Sequence, residues 1–311
     1  MNVAVAAALA QLFGLLGVGW ALQRWRDPGP QVPDGLTYAV TEVTMPALIL
    51  ATLSQRALDP SLFGAVIASL LGLAAAFGAA HLLAPALTLP GATRGTFLLA
   101  ATFCNTGFLG IPVALALWGP GSAGLTTAVM VDSVTTTILL NSVGVLVALR
   151  HGTGAAADGT ALHRLLRTPM FLAALLGIGL QLAHLPLPVA VLTPLAWLGS
   201  ATTVLVFLAT GMRLRFGAIF TELPAIAGVC FVRFGVAPLV TLIVARMLHV
   251  SGETGQQAIL GLAMPTAMMA PVVAARYAGP SALGPAAVAA TTALTPLALL
   301  FWLALGRSVG L

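Results

Sequence analysis

Long apolar segments follow one another along this chain, separated by short polar breaks, and this pattern restricts it to a membrane. Of its 311 residues, 59% are hydrophobic and 7% are charged, and the mean hydropathy is +1.04. A soluble domain carries roughly a quarter charged residues, so this chain has too few charges to cover a water-facing surface. Its basic net charge therefore indicates orientation in a lipid bilayer and not nucleic-acid binding.

A transmembrane helix needs about 20 consecutive apolar residues, and the sequence divides into ten segments near that length. They cover residues 3–22, 35–53, 61–84, 95–118, 122–149, 169–185, 189–211, 220–247, 255–278 and 281–305. This division predicts an all-α integral membrane protein with ten transmembrane helices. Its parts are a five-helix repeat at 1–150, a polar linker at 151–168 and a second five-helix repeat at 169–311.

The arginines predict the orientation of the chain. All 13 basic residues are arginine, and nine of them fall in or beside the odd-numbered loops, whereas three fall in the even-numbered loops and the termini. Cytoplasmic loops are enriched in basic residues. We therefore expect the central loop in the cytoplasm and both termini outside.

The two halves resemble each other at a nearly constant offset. An offset of 158 aligns Thr44 with Thr202, and an offset of 159 aligns Pro112 with Pro271. Because each half has an odd number of predicted spans, the second half is expected to be inverted relative to the first. Inverted repeats with broken helices are a transporter architecture, in which the substrate site lies near the bilayer midplane.

The fourth segment contains two glycines and a proline close together, Gly107, Gly110 and Pro112, preceded by the polar residues Asn105 and Thr106. Proline cannot donate a helical hydrogen bond, and glycine permits backbone angles that other residues avoid, so this stretch predicts a broken helix. Freed backbone groups are tolerated in a bilayer only where protein or trapped water satisfies them. The break should therefore line a cavity, in which the positive start of the resumed helix favours an anion.

The ninth segment contains a matching stretch at Pro265, Thr266, Met268, Met269 and Pro271. One proline kink can simply shape a helix bundle. Two breaks in corresponding segments favour a substrate site instead, and we assign these residues to it together with those of the fourth segment.

The stretch Asn105-Thr106-Gly107-Phe108-Leu109-Gly110-Ile111-Pro112 resembles the Asn-Thr/Ser-Gly-Phe-x-Gly-x-Pro signature of the auxin efflux carrier family. Residues 264–267 through 276–277 look like its second-half motif, and residues 45–48 and Asp132 also fit. The resemblance covers essentially the whole chain. It implies a five-plus-five inverted repeat whose fourth and ninth helices cross at their breaks.

In function, this resemblance implies transport of small organic anions such as carboxylates, often outward. A crossing region that moves against a scaffold would give alternating access of the elevator type. It also implies a homodimer, and a place in the bacterial inner membrane. One departure stands out, because many members carry a second asparagine where this chain has Met268 and Met269. Methionine is soft and adaptable, which predicts a more apolar substrate.

Glu42, Asp132 and Arg233 lie inside apolar segments, where ionisable groups usually face a cavity or the interior of the helix bundle. Asp132 is surrounded by threonines and serines and is our candidate for carrying a coupled proton; the alternative is a hydrogen-bonded carboxylate that locks helices together. Glu42 is a second coupling candidate, with an interfacial position as its alternative. For Arg233 the sequence leaves both snorkelling and an ion pair open.

Enzymatic readings find no support, since the sequence lacks the hydrolase, zinc-protease and phosphate-loop motifs. We predict neither a cofactor nor a metal site. The favoured function is a secondary active transporter of small organic anions. The alternatives are a sodium-coupled carrier like the architecturally related bile-acid transporters, a channel, and a non-transporting membrane receptor.

Overall fold

A computed structural model describes residues 3–55, 60–151, 167–214, 216–217 and 219–310. Apart from one isolated bridge, the regular structure of these residues is helical. We number twelve helices among them. They are α1 Val3–Arg26, α2 Gln31–Leu53, α3 Pro60–Leu83, α4 Gly91–Thr102, α5 Thr106–Trp118, α6 Ala123–His151, α7 Pro169–Leu182, α8 Val189–Arg213, α9 Leu223–Met247, α10 Gly252–Leu262, α11 Met269–Tyr277 and α12 Leu283–Ser308.

Helices lie at the positions of the apolar segments, so the prediction of an all-α membrane protein is confirmed. Six of the described helices, α2, α3, α6, α8, α9 and α12, are long and apolar enough to cross a membrane. Large apolar side chains such as Leu82, Trp197 and Phe301 are exposed on the outside, as in a lipid-facing surface. Most of the predicted linker, residues 152–166, lies outside the described residues.

The helices pack as two groups. One consists of α1, α2, α7 and α8, and the other of α3–α6 and α9–α12; most contacts fall within a group. Small residues allow close approach inside each, since a Cβ added at Gly211 would overlap the backbone of Leu16, and one at Gly72 would overlap Thr241. The boundary between the two groups lies next to the helix breaks that the sequence predicts in the fourth and ninth segments.

Three of the described helices contain a widened, π-helical turn that ends two residues before a proline. These turns span Val40–Thr44, Thr106–Gly110 and Val232–Val236, and the prolines are Pro46, Pro112 and Pro238. A proline ring clashes with the carbonyl four residues earlier and lacks an N–H to bond it, so a wider turn relieves both problems.

The carbonyl freed in this way before Pro238 has another partner. Phe234 lies four residues before that proline, and its carbonyl accepts a hydrogen bond from the indole N–H of Trp302 at 2.8 Å. A bilayer offers no water to such a carbonyl, so a side-chain donor on α12 takes its place.

Candidate functional site

The two interrupted helices meet at their breaks. The break between α4 and α5 comprises residues 103–105, and the break between α10 and α11 comprises residues 263–268. Asn105 N donates to Pro265 O at 2.7 Å, and Ala267 N donates to Phe103 O at 2.9 Å, forming an antiparallel bridge. Each break thus satisfies backbone groups that the other leaves free, which allows irregular chain inside a membrane protein.

The first break lies earlier in the chain than its glycines and proline suggested. Helix α5 already begins at Thr106, and Ile111 N donates to Thr106 O in the widened turn. Pro112 follows within the helix and is fully surrounded by protein. The widened turn therefore accommodates the proline, and the extended backbone is confined to the three residues before Thr106.

Thr266 stabilises the place where the two breaks meet. Its backbone N–H donates to Thr291 Oγ1 at 3.1 Å, and its hydroxyl donates to Ala100 O at 2.9 Å. The side chain is completely buried. These bonds connect the second break to α12 and to the end of α4. Thr266 therefore stabilises the shape of the site, although it lines neither cavity.

Asn105 has two distinct roles in this geometry. Its Oδ1 accepts a hydrogen bond from Phe108 N at 3.1 Å and so caps the start of α5. Its Nδ2 has no hydrogen-bond partner, although the residue is only 2% exposed. Buried amide donors are almost always paired, and this unpaired one belongs to a residue that lines a cavity.

That first cavity has a volume of about 230 Å³ and lies at the boundary between the two helix groups. Met45 and Met170 contribute from one group, and Asn105 and Asp132 from the other. Its remaining lining residues are Gly107, Phe108, Thr136, Thr137, Leu140, Asn141, Val145, Thr168, Ala267, Met268, Met269, Val272, Val273, Arg276 and Tyr277.

Asp132 belongs to a chain of hydroxyl groups that runs to the break. Thr106 Oγ1 lies 2.7 Å from Asp132 Oδ1 and 2.7 Å from Thr136 Oγ1, and Thr136 Oγ1 lies 3.2 Å from Cys104 O. Gly107 makes room for the carboxylate, because an added Cβ would lie 2.9 Å from Oδ1. The carboxylate is thus linked through two hydroxyl groups to a carbonyl of the broken backbone.

A second cavity of about 400 Å³ adjoins the first and is also lined mainly by apolar side chains. Phe108, Met268, Met269 and Val272 line both cavities, so they form the shared wall. Thr210 Oγ1 lies 3.5 Å from Met268 Sδ and thereby links α8 to the second break. The flexible methionines separate the two spaces without a rigid barrier.

Each cavity has one arginine in its lining. Arg276 lines the first cavity, and no carboxylate forms a salt bridge with it in the described part of the chain. Arg213 lines the second cavity and pairs with Asp34 at 2.6 Å. An anion entering the first cavity would therefore meet a positive charge that has no salt-bridge partner among the described residues.

The structure groups the residues assigned from sequence into three sets. The first cavity is lined by Asn105, Gly107, Asp132, Met268 and Met269. The second is lined by Met268, Met269 and Pro271. Thr106 bonds Asp132, whereas Gly110, Pro112, Pro265 and Thr266 are parts of the breaks or the helices next to them and line neither cavity. Glu42 is exposed on α2, and it also lies outside both linings.

Sequence reasoning overlooked Arg276 as a site residue. The signal was its spacing, because Met269, Val272, Val273 and Arg276 recur at three- and four-residue intervals and so share one face of α11. Met45 in α2 gave no comparable signal. It reaches the cavity only because the two helix groups face each other there.

Comparison with known proteins assigns nearly the whole chain to one family. A family model described as membrane transport protein matches residues 4–303. An uncharacterized transporter of Methanocaldococcus jannaschii is 29% identical over 220 residues, which make up 67% of each chain. An uncharacterized transporter of Methanothermobacter thermautotrophicus is 31% identical over 176 residues, which are 57% of this chain and 56% of that one.

The matched range includes both breaks and both cavities. The resemblance carried by residues 105–112 is therefore confirmed. The chain belongs to the membrane transport protein family, that of the auxin efflux carriers, and it is a multi-pass membrane transporter and not an enzyme.

Proposed function

We propose that this transporter is a secondary active carrier of small organic anions, working outward when the cell accumulates the anion. The observation that carries this proposal is the unpartnered Nδ2 of buried Asn105 in a cavity where two broken helices meet. A carboxylate placed there would accept this hydrogen bond beside the positive start of α5. Arg276 would attract the anion to the cavity.

The substrate we propose combines one carboxylate with an apolar body. Methionines 268 and 269 form part of the wall between the cavities, and the adjoining space is lined mainly by apolar side chains such as Val206 and Val288. A ligand site of this kind uses few polar groups for orientation and apolar area for affinity. A small, strongly hydrophilic dicarboxylate would gain little from this apolar wall.

The proposed mechanism is alternating access of the elevator type. Helices α1, α2, α7 and α8 would form the scaffold, and the other group would carry the breaks. Support comes from the position of both cavities on the boundary between these groups. A sliding movement there would carry Asn105 and Asp132 together past Met45 and Met170, exposing the site to the other side of the membrane.

We further propose a five-plus-five inverted repeat and a homodimer. The order of long and short helices in α1–α6 recurs in α7–α12, apart from the shorter α7. Thr202 Oγ1 donates to Thr44 Oγ1 at 3.0 Å, and these are the residues that an offset of 158 aligns. Equivalent residues in contact are what a pseudo-twofold axis produces. Helix α8 is the least buried spanning helix of the described chain, which leaves apolar surface for a second copy.

Flux into vesicles tests the carrier function. We expect purified protein in proteoliposomes to move labelled carboxylates saturably, with aromatic and branched-chain monocarboxylates preferred over small hydrophilic dicarboxylates. The measurement is counterflow of each labelled acid in choline buffer and again in sodium buffer. Binding without flux would favour a receptor, and flux only in sodium would favour the sodium-coupled alternative.

Orientation has its own test, which follows from the arginine distribution. We expect a cysteine at Thr153 in the central loop, a position outside the described residues, to resist an impermeant thiol reagent in intact cells. A cysteine at Ser251, exposed before α10, should react. Both are made in a Cys230→Ser background. The reverse labelling pattern would invert the proposed topology.

A further inference from the structure

Arg233 lies between the two helices that end at the breaks. Its side chain is completely buried and comes from the widened turn of α9. Nη1 donates to Thr102 O at 2.6 Å, and Nη2 donates to Leu262 O at 2.5 Å. Thr102 is the last residue of α4 and Leu262 is the last residue of α10. One guanidinium therefore caps both helices.

Two further carbonyls lie against the guanidinium. Nε donates to Met264 O at 3.3 Å, within the second break, and Nη1 lies 3.4 Å from Ala101 O. Carbonyls in the last turn of a helix have no partner within the helix. Arg233 thus satisfies carbonyl groups that would otherwise be unpaired in the interior of the protein.

The charge of Arg233 is balanced by these helix ends. No carboxylate forms a salt bridge with it among the described residues. A helix C-terminus carries the equivalent of about half a negative charge, so two such ends together offset roughly one positive charge. The sequence left open an ion pair or snorkelling to the membrane surface, and the structure shows neither.

We infer that Arg233 is a built-in cation, which positions both broken helices and occupies the carbonyl oxygens that a coupled sodium ion would need. In transporters with broken helices, unwound carbonyls and helix C-termini are the groups that coordinate sodium. An arginine stays charged and attached throughout a transport cycle. The inference rests on the proposed carrier function, and it specifies that carrier as independent of sodium at the crossing.

The planar fork of arginine is essential to this role. It directs several N–H groups to carbonyls on two helices at once, whereas a lysine ammonium is a compact charge with fewer directed donors. Arg233→Lys is therefore expected to keep the charge and lose part of the positioning. Arg233→Ala removes both and leaves a space bounded by unpaired carbonyls, which a small cation can enter.

The test measures thermal melting of the purified, substrate-free protein in detergent, at constant ionic strength, in sodium or choline chloride. We expect wild type to melt at the same temperature in both salts. Arg233→Ala should melt more than about 5 °C lower in choline, because several buried carbonyls lose their charged partner. Millimolar ethylguanidinium, and to a smaller extent sodium, should raise its melting temperature. Arg246→Ala is the matched control, since Arg246 is exposed on the same helix.

Saturable stabilisation of wild type by sodium would overturn the inference, and so would an Arg233→Ala protein that melts like wild type. If Arg233→Ala does not fold, Arg233→Lys decides, because an equal melting temperature for lysine and arginine would contradict a role for the fork. Since no substrate is present, these results are independent of flux. A protein that moves none of the tested carboxylates would contradict the carrier proposal and leave this inference standing.

Discussion

Replacing Asn105 with alanine is expected to weaken substrate binding roughly 10- to 150-fold, because a hydrogen bond to a charged ligand contributes about 1.5–3 kcal/mol. The amide Nδ2 is buried and unpaired in a residue that lines the cavity, so the free protein loses no existing bond of this group when it is removed. Affinity can be measured as the concentration dependence of thermal stabilisation by the preferred carboxylate.

The alanine variant also loses the cap on Phe108 N, and this loss is expected to lower the melting temperature with or without ligand. Asn105→Asp separates the two effects. Aspartate keeps an oxygen that can accept from Phe108 N, but it replaces the amide donors with a negative charge. Stability near wild type together with abolished binding is the expected result. An aspartate variant that binds the carboxylate as tightly as wild type would remove Asn105 from the site.

Helix positions were predictable from this sequence because apolar length is the main requirement for crossing a bilayer. The existence of the first break could also be predicted, but its location could not. Glycine and proline at positions 107–112 indicated an interruption, yet the helix tolerates Pro112 through a widened turn. The chain leaves the helix at 103–105 because the second break supplies its hydrogen-bond partners. Such pairing between distant segments has no signature in either segment alone.

Site residues could be predicted where a polar side chain stands in an apolar segment. They were missed where only the packing of distant helices brings them to the cavity. Asn105 and Asp132 could be identified because polar groups are rare in apolar segments. Arg233 was singled out for the same reason, but its partners are backbone carbonyls, which are present at every residue. In this protein, the carbonyls of two helix ends take the place that a carboxylate would have beside an arginine within a span.

The hydroxyl chain at Asp132 offers two arrangements of hydrogen bonds for the same atoms. With a charged carboxylate, Thr136 donates to Thr106 and Thr106 donates to Asp132. With a protonated carboxylic acid, Asp132 donates to Thr106, Thr106 to Thr136, and Thr136 to Cys104 O. Each hydroxyl has one hydrogen and two acceptor positions, so both arrangements are complete. Protonation of Asp132 would thereby determine whether Cys104 O, in the first break, accepts a hydrogen bond from Thr136.

A bound anion and a charged Asp132 would repel each other within one cavity, so proton binding is expected to favour anion binding. Asp132→Asn should therefore abolish transport driven by a pH gradient, because an amide cannot take up and release the proton. Its carbonyl oxygen can still accept from Thr106, and its size fits beside Gly107, so exchange of labelled for unlabelled substrate should continue. Both quantities are measured in the same proteoliposomes, with and without an imposed gradient.

Asp27→Asn is the matched control, since it makes the same chemical change at an exposed carboxylate, and asparagine tolerates the positive φ of 41° found there. It should transport like wild type. Glu42→Gln decides between the two coupling candidates: its exposed position outside both cavity linings leads us to expect unchanged gradient-driven flux. Full gradient-driven accumulation in Asp132→Asn would show that this carboxylate only locks α6 to the start of α5 through Thr106, and that any coupled proton is carried elsewhere.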